Sequence, residues 1–273
     1  MALNPRTSAA KRPSMSAMRK AALVAGVLYL ATFLSSIPAV FLQGAVFNDP
    51  NFILGGGGAD TLVRFGALLD IVNGLTAIGT AVALYSVVKR QNEGLAIGFV
   101  SSRVFEAATL FIGIVCVFAI VTLRQTGAAA ADAATLITIQ RSLLAVRDWS
   151  FVLGTGVPAL NAFLLGWLMY RSRLVPRAIP VLGLIGAPLF TSWIIGYIFG
   201  ITEGGSAWHA IAVAPIFFWE LSLGLWMTFK GFRKEAPLMV EAAADAAAEA
   251  ASLDDSPTAT RPSTGVAANA GVA

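Results

Sequence analysis

"LAIGFVSSRVFEAATLFIGIVCVFAIVTL", residues 95–123, is a long apolar run broken near its middle by one arginine and one glutamate. A helix rises 1.5 Å per residue, so about 20 apolar residues cross the roughly 30 Å hydrocarbon core of a bilayer. This run is long enough to do so. Arg103 and Glu106 stand three positions apart and therefore share one helix face. A charge at that depth is costly unless it is paired, hydrated or functional. The stretch predicts a membrane helix and marks where to look for function.

Comparable runs occupy residues 21–42, 62–88, 149–170, 178–200 and 208–229. Hydrophobic residues are 57% of the 273-residue chain and charged residues 12%, against about 25% charged in soluble domains. The prediction is an all-α polytopic bundle of six transmembrane helices. Its parts are a basic cytoplasmic segment at 1–20, the transmembrane domain at 21–232, and a cytoplasmic Ala-rich, largely disordered tail at 233–273. The first run exceeds a signal-peptide core of about 7–15 residues and is read as a retained span. Between spans 3 and 4, Leu136, Ile139 and Leu143 recur at helical spacing in an Ala-rich stretch. They predict a short surface helix leading into span 4.

Lysine and arginine placement predicts orientation. One side collects Arg6, Lys11, Arg12, Arg19 and Lys20, then Lys89 and Arg90, then Arg171, Arg173 and Arg177, then Lys230, Arg233 and Lys234. The opposite loops hold Arg124, Arg141 and Arg147. Both termini are therefore expected in the cytoplasm.

Counting inward from the span ends places the intramembrane polar residues at one depth. Asp70 falls roughly 3 Å from the midplane, Asn73 near it, and Arg103 and Glu106 within roughly 3 Å of it. Asn161, Thr191, Ser192 and Glu220 reach a similar level from spans 4, 5 and 6. Asp70, Asn73, Arg103, Glu106, Asn161 and Glu220 form the candidate polar site. Three carboxylates face one guanidinium, a surplus that a proton or a bound cation relieves. Glu220 has no basic residue within a turn on its own helix and is the leading proton-holding candidate. Arg64 and Asp148 match in depth near the outer ends of spans 2 and 4 and form a candidate outer gate, with snorkelling of Arg64 as the alternative. Gly196 and Gly200 in span 5 read as a close-packing pair within the bundle or a dimer seam.

Other chemistry is poorly provided for. Cys116 is the single cysteine and His209 the single histidine, so multi-thiolate, zinc, copper and bis-His haem sites are not expected. Asp70 lacks the Gly-x-Gly-Asp context of intramembrane aspartyl proteases, and no Ser–His pairing supports a hydrolase. The four glycines at 55–58 are not followed by Gly-Lys-Ser/Thr, as a phosphate loop requires. The net charge of +4 reflects cations at span ends rather than a basic face. No enzyme activity, cofactor, metal or nucleic-acid partner is expected.

Several segments carry a family resemblance. They are "AGVLYLATFLSSI" at 25–37, "LVRFGALLDIV" at 62–72, "SRVFEAATLFIG" at 102–113, "LLGWLMYRSRLVPRAI" at 164–179 and "WELSLGLWMTFKG" at 219–231. In that order they resemble a bacterial family of six-span membrane proteins known as domain of unknown function 4386, over about residues 21–232. The family's recurrent polar positions resemble Arg64, Asp70, Arg103, Glu106 and Glu220. Its inner-loop signature resembles Arg171, Ser172, Pro176 and Arg177. The chain departs from the pattern at Arg173 and Pro180, where glycine is usual, which implies a stiffer loop. The resemblance implies a six-helix fold and an inner-membrane location, and brings no activity.

Two functions remain open. One is a small transporter, or a bundle binding a small or lipidic ligand or a proton at the midplane. The other is a structural or assembly protein whose intramembrane charges only hold helices together. The lipid bilayer is a partner in both, and a homodimer is compatible with either.

Overall fold

The computed structural model describes residues 15–55, 58–126 and 132–254. The described residues form helices α1 (Met15–Leu42), α2 (Gly44–Asn48), α3 (Asp60–Val88), α4 (Glu93–Thr126), α5 (Ala133–Ser172), α6 (Ala178–Ile198), α7 (Ala207–Phe229) and α8 (Pro237–Asp254), with a 3-10 turn at Phe52–Leu54. Six of these, α1 and α3 to α7, are long and apolar enough to cross a membrane. The chain is a multi-pass membrane helix bundle.

Short connections force successive spans to run antiparallel and side by side. α1 packs on α3, α3 on α4, α4 on α5, α5 on α6, α6 on α7, and α7 returns to α1. The long helices thus close a ring in chain order. Large apolar side chains stay exposed on its outside, among them Leu34 and Phe41 of α1, Val82 of α3, Val115 of α4 and Phe218 of α7. In lipid these exposed side chains incur no hydrophobic penalty. The α1–α7 seam closes on small residues: a Cβ on Gly26 would lie 2.5 Å from the Thr228 backbone nitrogen and 2.9 Å from the Gly224 carbonyl oxygen.

Two apolar cores fill the ring. The larger joins Met18, Tyr29, Leu84, Phe99, Leu165, Met169, Trp219 and Leu223. The smaller joins Val46, Phe52, Val63, Ala67, Ile114, Ile120 and Val121. The smaller core draws on the α1–α3 connection, which carries buried Val46, Phe52 and Ile53. Buried Gln140 of α5 holds that connection by accepting from the Ile53 N–H (2.8 Å) and donating to the Asp49 carbonyl (2.8 Å). Arg124 donates to the Phe52 carbonyl and sits 4.2 Å from that ring's centroid, while its Nε meets Asp60 at 2.8 Å.

The expected separate surface helix is not a separate element. Its residues are the first half of α5, whose 40 residues reach about 60 Å, twice the hydrocarbon core. Leu136 and Gln140 are buried there, and Leu143 and Leu144 are partly so; Gln140, Leu143 and Leu144 meet the α1–α3 connection and the smaller core. The stripe read as lipid-facing meets protein. Asp132 caps this helix: its carboxylate accepts from the Thr135 hydroxyl (2.6 Å) and backbone N–H (2.9 Å), and these bonds hold it below the usual carboxylate range.

The tail also differs from expectation. Up to Asp254 it forms α8, and Ala236, Met239 and Ala242 are buried in the larger core. Three apolar positions at helical spacing suffice, because a groove is already present for them. Residues 255–273 lie outside the described residues, as do 1–14 of the basic N-terminal segment. Arg19 extends α1 and donates to the Met227 and Thr228 carbonyls, each at 3.4 Å, satisfying the end of α7. Arg173 ends α5 at φ 56°, in the left-handed region that favours glycine. Gly196 and Gly200 do not form a packing stripe. α6 ends at Ile198, Gly200 turns the chain at φ 68°, and the Gly196 carbonyl accepts from the Ile201 N–H at 2.7 Å.

Candidate functional site

The polar residues of the sequence belt divide into a central cluster, a second chamber and an outlying pair. The centre is Arg103 of α4, with 4% of its side chain exposed. It can stay charged there only with close partners. Its Nη1 donates to Glu106 at 3.0 Å, one turn along the same helix. Its Nη2 donates to Glu220 of α7 and to the Tyr29 hydroxyl of α1, the latter at 3.1 Å. The guanidinium also faces the Tyr29 and Phe99 rings, at 5.3 and 6.0 Å from their centroids. Glu106 accepts a further bond from Asn161 of α5 at 2.7 Å, and Asn161 in turn accepts from Ser102. One network ties α1, α4, α5 and α7 across the ring.

Beside this network lies a cavity of about 140 Å³. Arg103, Glu106 and Glu220 line it together with Asn73, Thr32, Ser36 and Phe33. A water needs roughly 10–15 Å³ of such volume, so the space admits several waters or a small solute. Glu106 and Glu220 keep 22% and 19% of their side chains exposed. Two carboxylates face one guanidinium, so the ionised cluster carries one surplus negative charge. The buried Nε of Arg103 has no hydrogen-bond partner among the described residues.

Asp70 is elsewhere. Gln43, buried at the end of the first span region, donates to it at 2.7 Å. The two line a small cavity of about 10 Å³ with Thr109, Leu110, Arg147 and Phe151, room for about one water. Leu110 lines both cavities and stands between them. Equal depth did not mean one site, because Asp70 and Asn73 point to different sides of Leu110.

Glu220, isolated on its own helix, is not isolated in the bundle, since Arg103 reaches it from α4. The Arg64–Asp148 gate does not form. Exposed Arg64 donates to Gln125 at 2.6 Å, and Asp148 pairs with its neighbour Arg147 at 3.0 Å. That end of the bundle is covered instead by the connection that Gln140 holds. Thr191 and Ser192 donate to backbone carbonyls of their own helix. They line an apolar groove between α5 and α6, away from the cluster.

Tyr29, Thr32 and Ser36 are uncharged side chains within the first run and Gln43 lies just past its end, so none of the four stands out individually in the sequence. Thr32 and Ser36 at i,i+4 were the available signal.

No curated protein and no solved structure matches this chain. The family model described as "Domain of unknown function (DUF4386)" matches residues 24–231, three-quarters of the sequence, and the chain belongs to that family.

Proposed function

We propose that this membrane bundle binds a small polar ligand or cation in its central cavity and passes it across the bilayer. The observation that carries the reading is the cavity beside the Arg103 network, lined by Glu106, Glu220, Asn73, Thr32 and Ser36. Charges that serve only as glue need no free volume next to them, and apolar side chains would fill it at lower cost. One surplus negative charge favours a proton or a small monovalent cation as the species that completes the site. The orphaned Arg103 Nε–H adds one donor for an uncharged polar group.

The alternative is that the network only holds helices together. The tight partnering of Arg103 by α1, α4 and α7 favours it. Thermal melting in detergent separates the two. On the ligand reading, sodium, potassium or a small organic cation raises the melting temperature of the parent protein, and Glu106→Gln and Glu220→Gln abolish that rise. On the glue reading both variants melt lower and no cation has any effect.

A further inference from the structure

A further cavity lies away from the central cluster, at the basic end of the molecule. Its volume is about 440 Å³, and it sits between the α3–α4 turn, the last turn of α5 and the start of α8. Gln91, Asn92, Trp167, Arg171, Ser172 and Leu238 line it. We propose that it binds a phosphate-bearing ligand, and that its natural occupant is the headgroup of an anionic phospholipid.

Three observations converge. Arg171 brings a forked guanidinium, the geometry that matches phosphate oxygens, and stands 5.9 Å from the centroid of the Trp167 ring. Gln91 supplies a buried Nε2 amide with no hydrogen-bond partner among the described residues. Such a donor is costly when unmet, and a phosphate oxygen meets it. Lys89, Arg90, Arg173 and Arg177 lie within a few residues of the lining on the same connections, so the local field attracts anions. Glu93, a carboxylate in the same turn, is engaged by the Tyr85 hydroxyl at 3.3 Å.

The position suits a lipid. Arg171 stands one residue before the end of α5 at Ser172, the level where a span leaves the hydrocarbon core. Trp167 is 41% exposed one turn deeper, as interfacial aromatics are. Leu238 gives α8 an apolar contact on the rim, so a headgroup among the polar residues leaves its glycerol against Trp167 and Leu238. Basic pockets between membrane helices bind anionic headgroups by this combination. The site shares no lining residue with the central cavity, and the proposal stands whatever that cavity does.

The test is the melting temperature of the full chain in nanodiscs of phosphatidylcholine, with and without phosphatidylglycerol, and in phosphatidylcholine with added inorganic phosphate. Phosphatidylglycerol is expected to raise the melting temperature by several degrees. Arg171→Gln should lose that rise and Gln91→Leu should lose part of it, while Lys234→Gln, an exposed cation outside the lining, should keep it. Native mass spectrometry should show one phosphatidylglycerol retained by the parent protein and released in Arg171→Gln. A rise with inorganic phosphate alone supports the phosphate chemistry and assigns a soluble source. Equal melting in all three conditions, or an undiminished rise in Arg171→Gln, overturns the proposal.

Discussion

Arg103 holds two carboxylates, a phenol hydroxyl and two ring faces from a position with 4% of its side chain exposed. Removing one partner of a buried ion pair leaves the other charge uncompensated, at about 3–5 kcal/mol. Arg103→Gln should therefore destabilise the bundle by about that amount, seen as a large fall in melting temperature in detergent. Arg103→Lys should fall between the two, because one ammonium cannot reproduce the fork that meets Glu106 and Glu220 together. Arg173 offers the opposite sign. Its left-handed backbone at φ 56° costs a residue with a Cβ about 1 kcal/mol. Arg173→Gly should raise stability by about that much, checked by the same melting curve. At this scale the sequence showed which residues were unusual but not which met. Depth along a helix follows from counting, whereas the side that each residue faces depends on how the ring closes. Asp70 and Asn73 make the point: they are near neighbours on α3, yet Leu110 separates their cavities.

Among the elements, the α1–α3 connection departs furthest from its sequence signal. A segment with four glycines reads as a turn, but its part before Gly55 is apolar and folds onto α4 and α5. Gln140 secures it with two hydrogen bonds, one buried and one partly buried. Gln140→Leu leaves the buried Ile53 N–H unmet, at about 1–3 kcal/mol, while the Asp49 carbonyl keeps its bond from the Phe52 N–H at 3.1 Å. The expected readout is faster amide exchange and earlier protease cleavage over residues 44–54, with the long helices still protected. Unchanged exchange there would mean that Phe52 and Arg124 hold the connection without Gln140. Helix α5 shows why spacing alone points to a surface helix there. Leu136 and Leu143 have the spacing of an interfacial stripe, and only the partner decides whether a stripe meets lipid or protein. The same holds for α8, where Met239 and Ala242 dock into a core formed by distant segments.

For the molecule as a whole, six spans and their order were legible because bilayer thickness fixes span length and hydropathy marks each run. Ring closure was not legible, since it rests on small residues meeting across the α1–α7 seam. Gly26→Ala puts a methyl carbon 2.5 Å from the Thr228 backbone nitrogen, and overpacking of this kind costs about 1–3 kcal/mol. The variant should melt lower than the parent, and Gly26→Leu lower again. A cavity beside a net-negative cluster at the centre of that ring is what separates a ligand-binding bundle from a packed one. The most direct measurement is flux in proteoliposomes under an imposed proton or sodium gradient, comparing the parent chain with Glu220→Gln, whose amide oxygen still accepts from Arg103. The account predicts cation or proton entry above empty vesicles with the parent and none with Glu220→Gln at retained folding. No flux above empty vesicles for the parent, or equal flux in both, would contradict it.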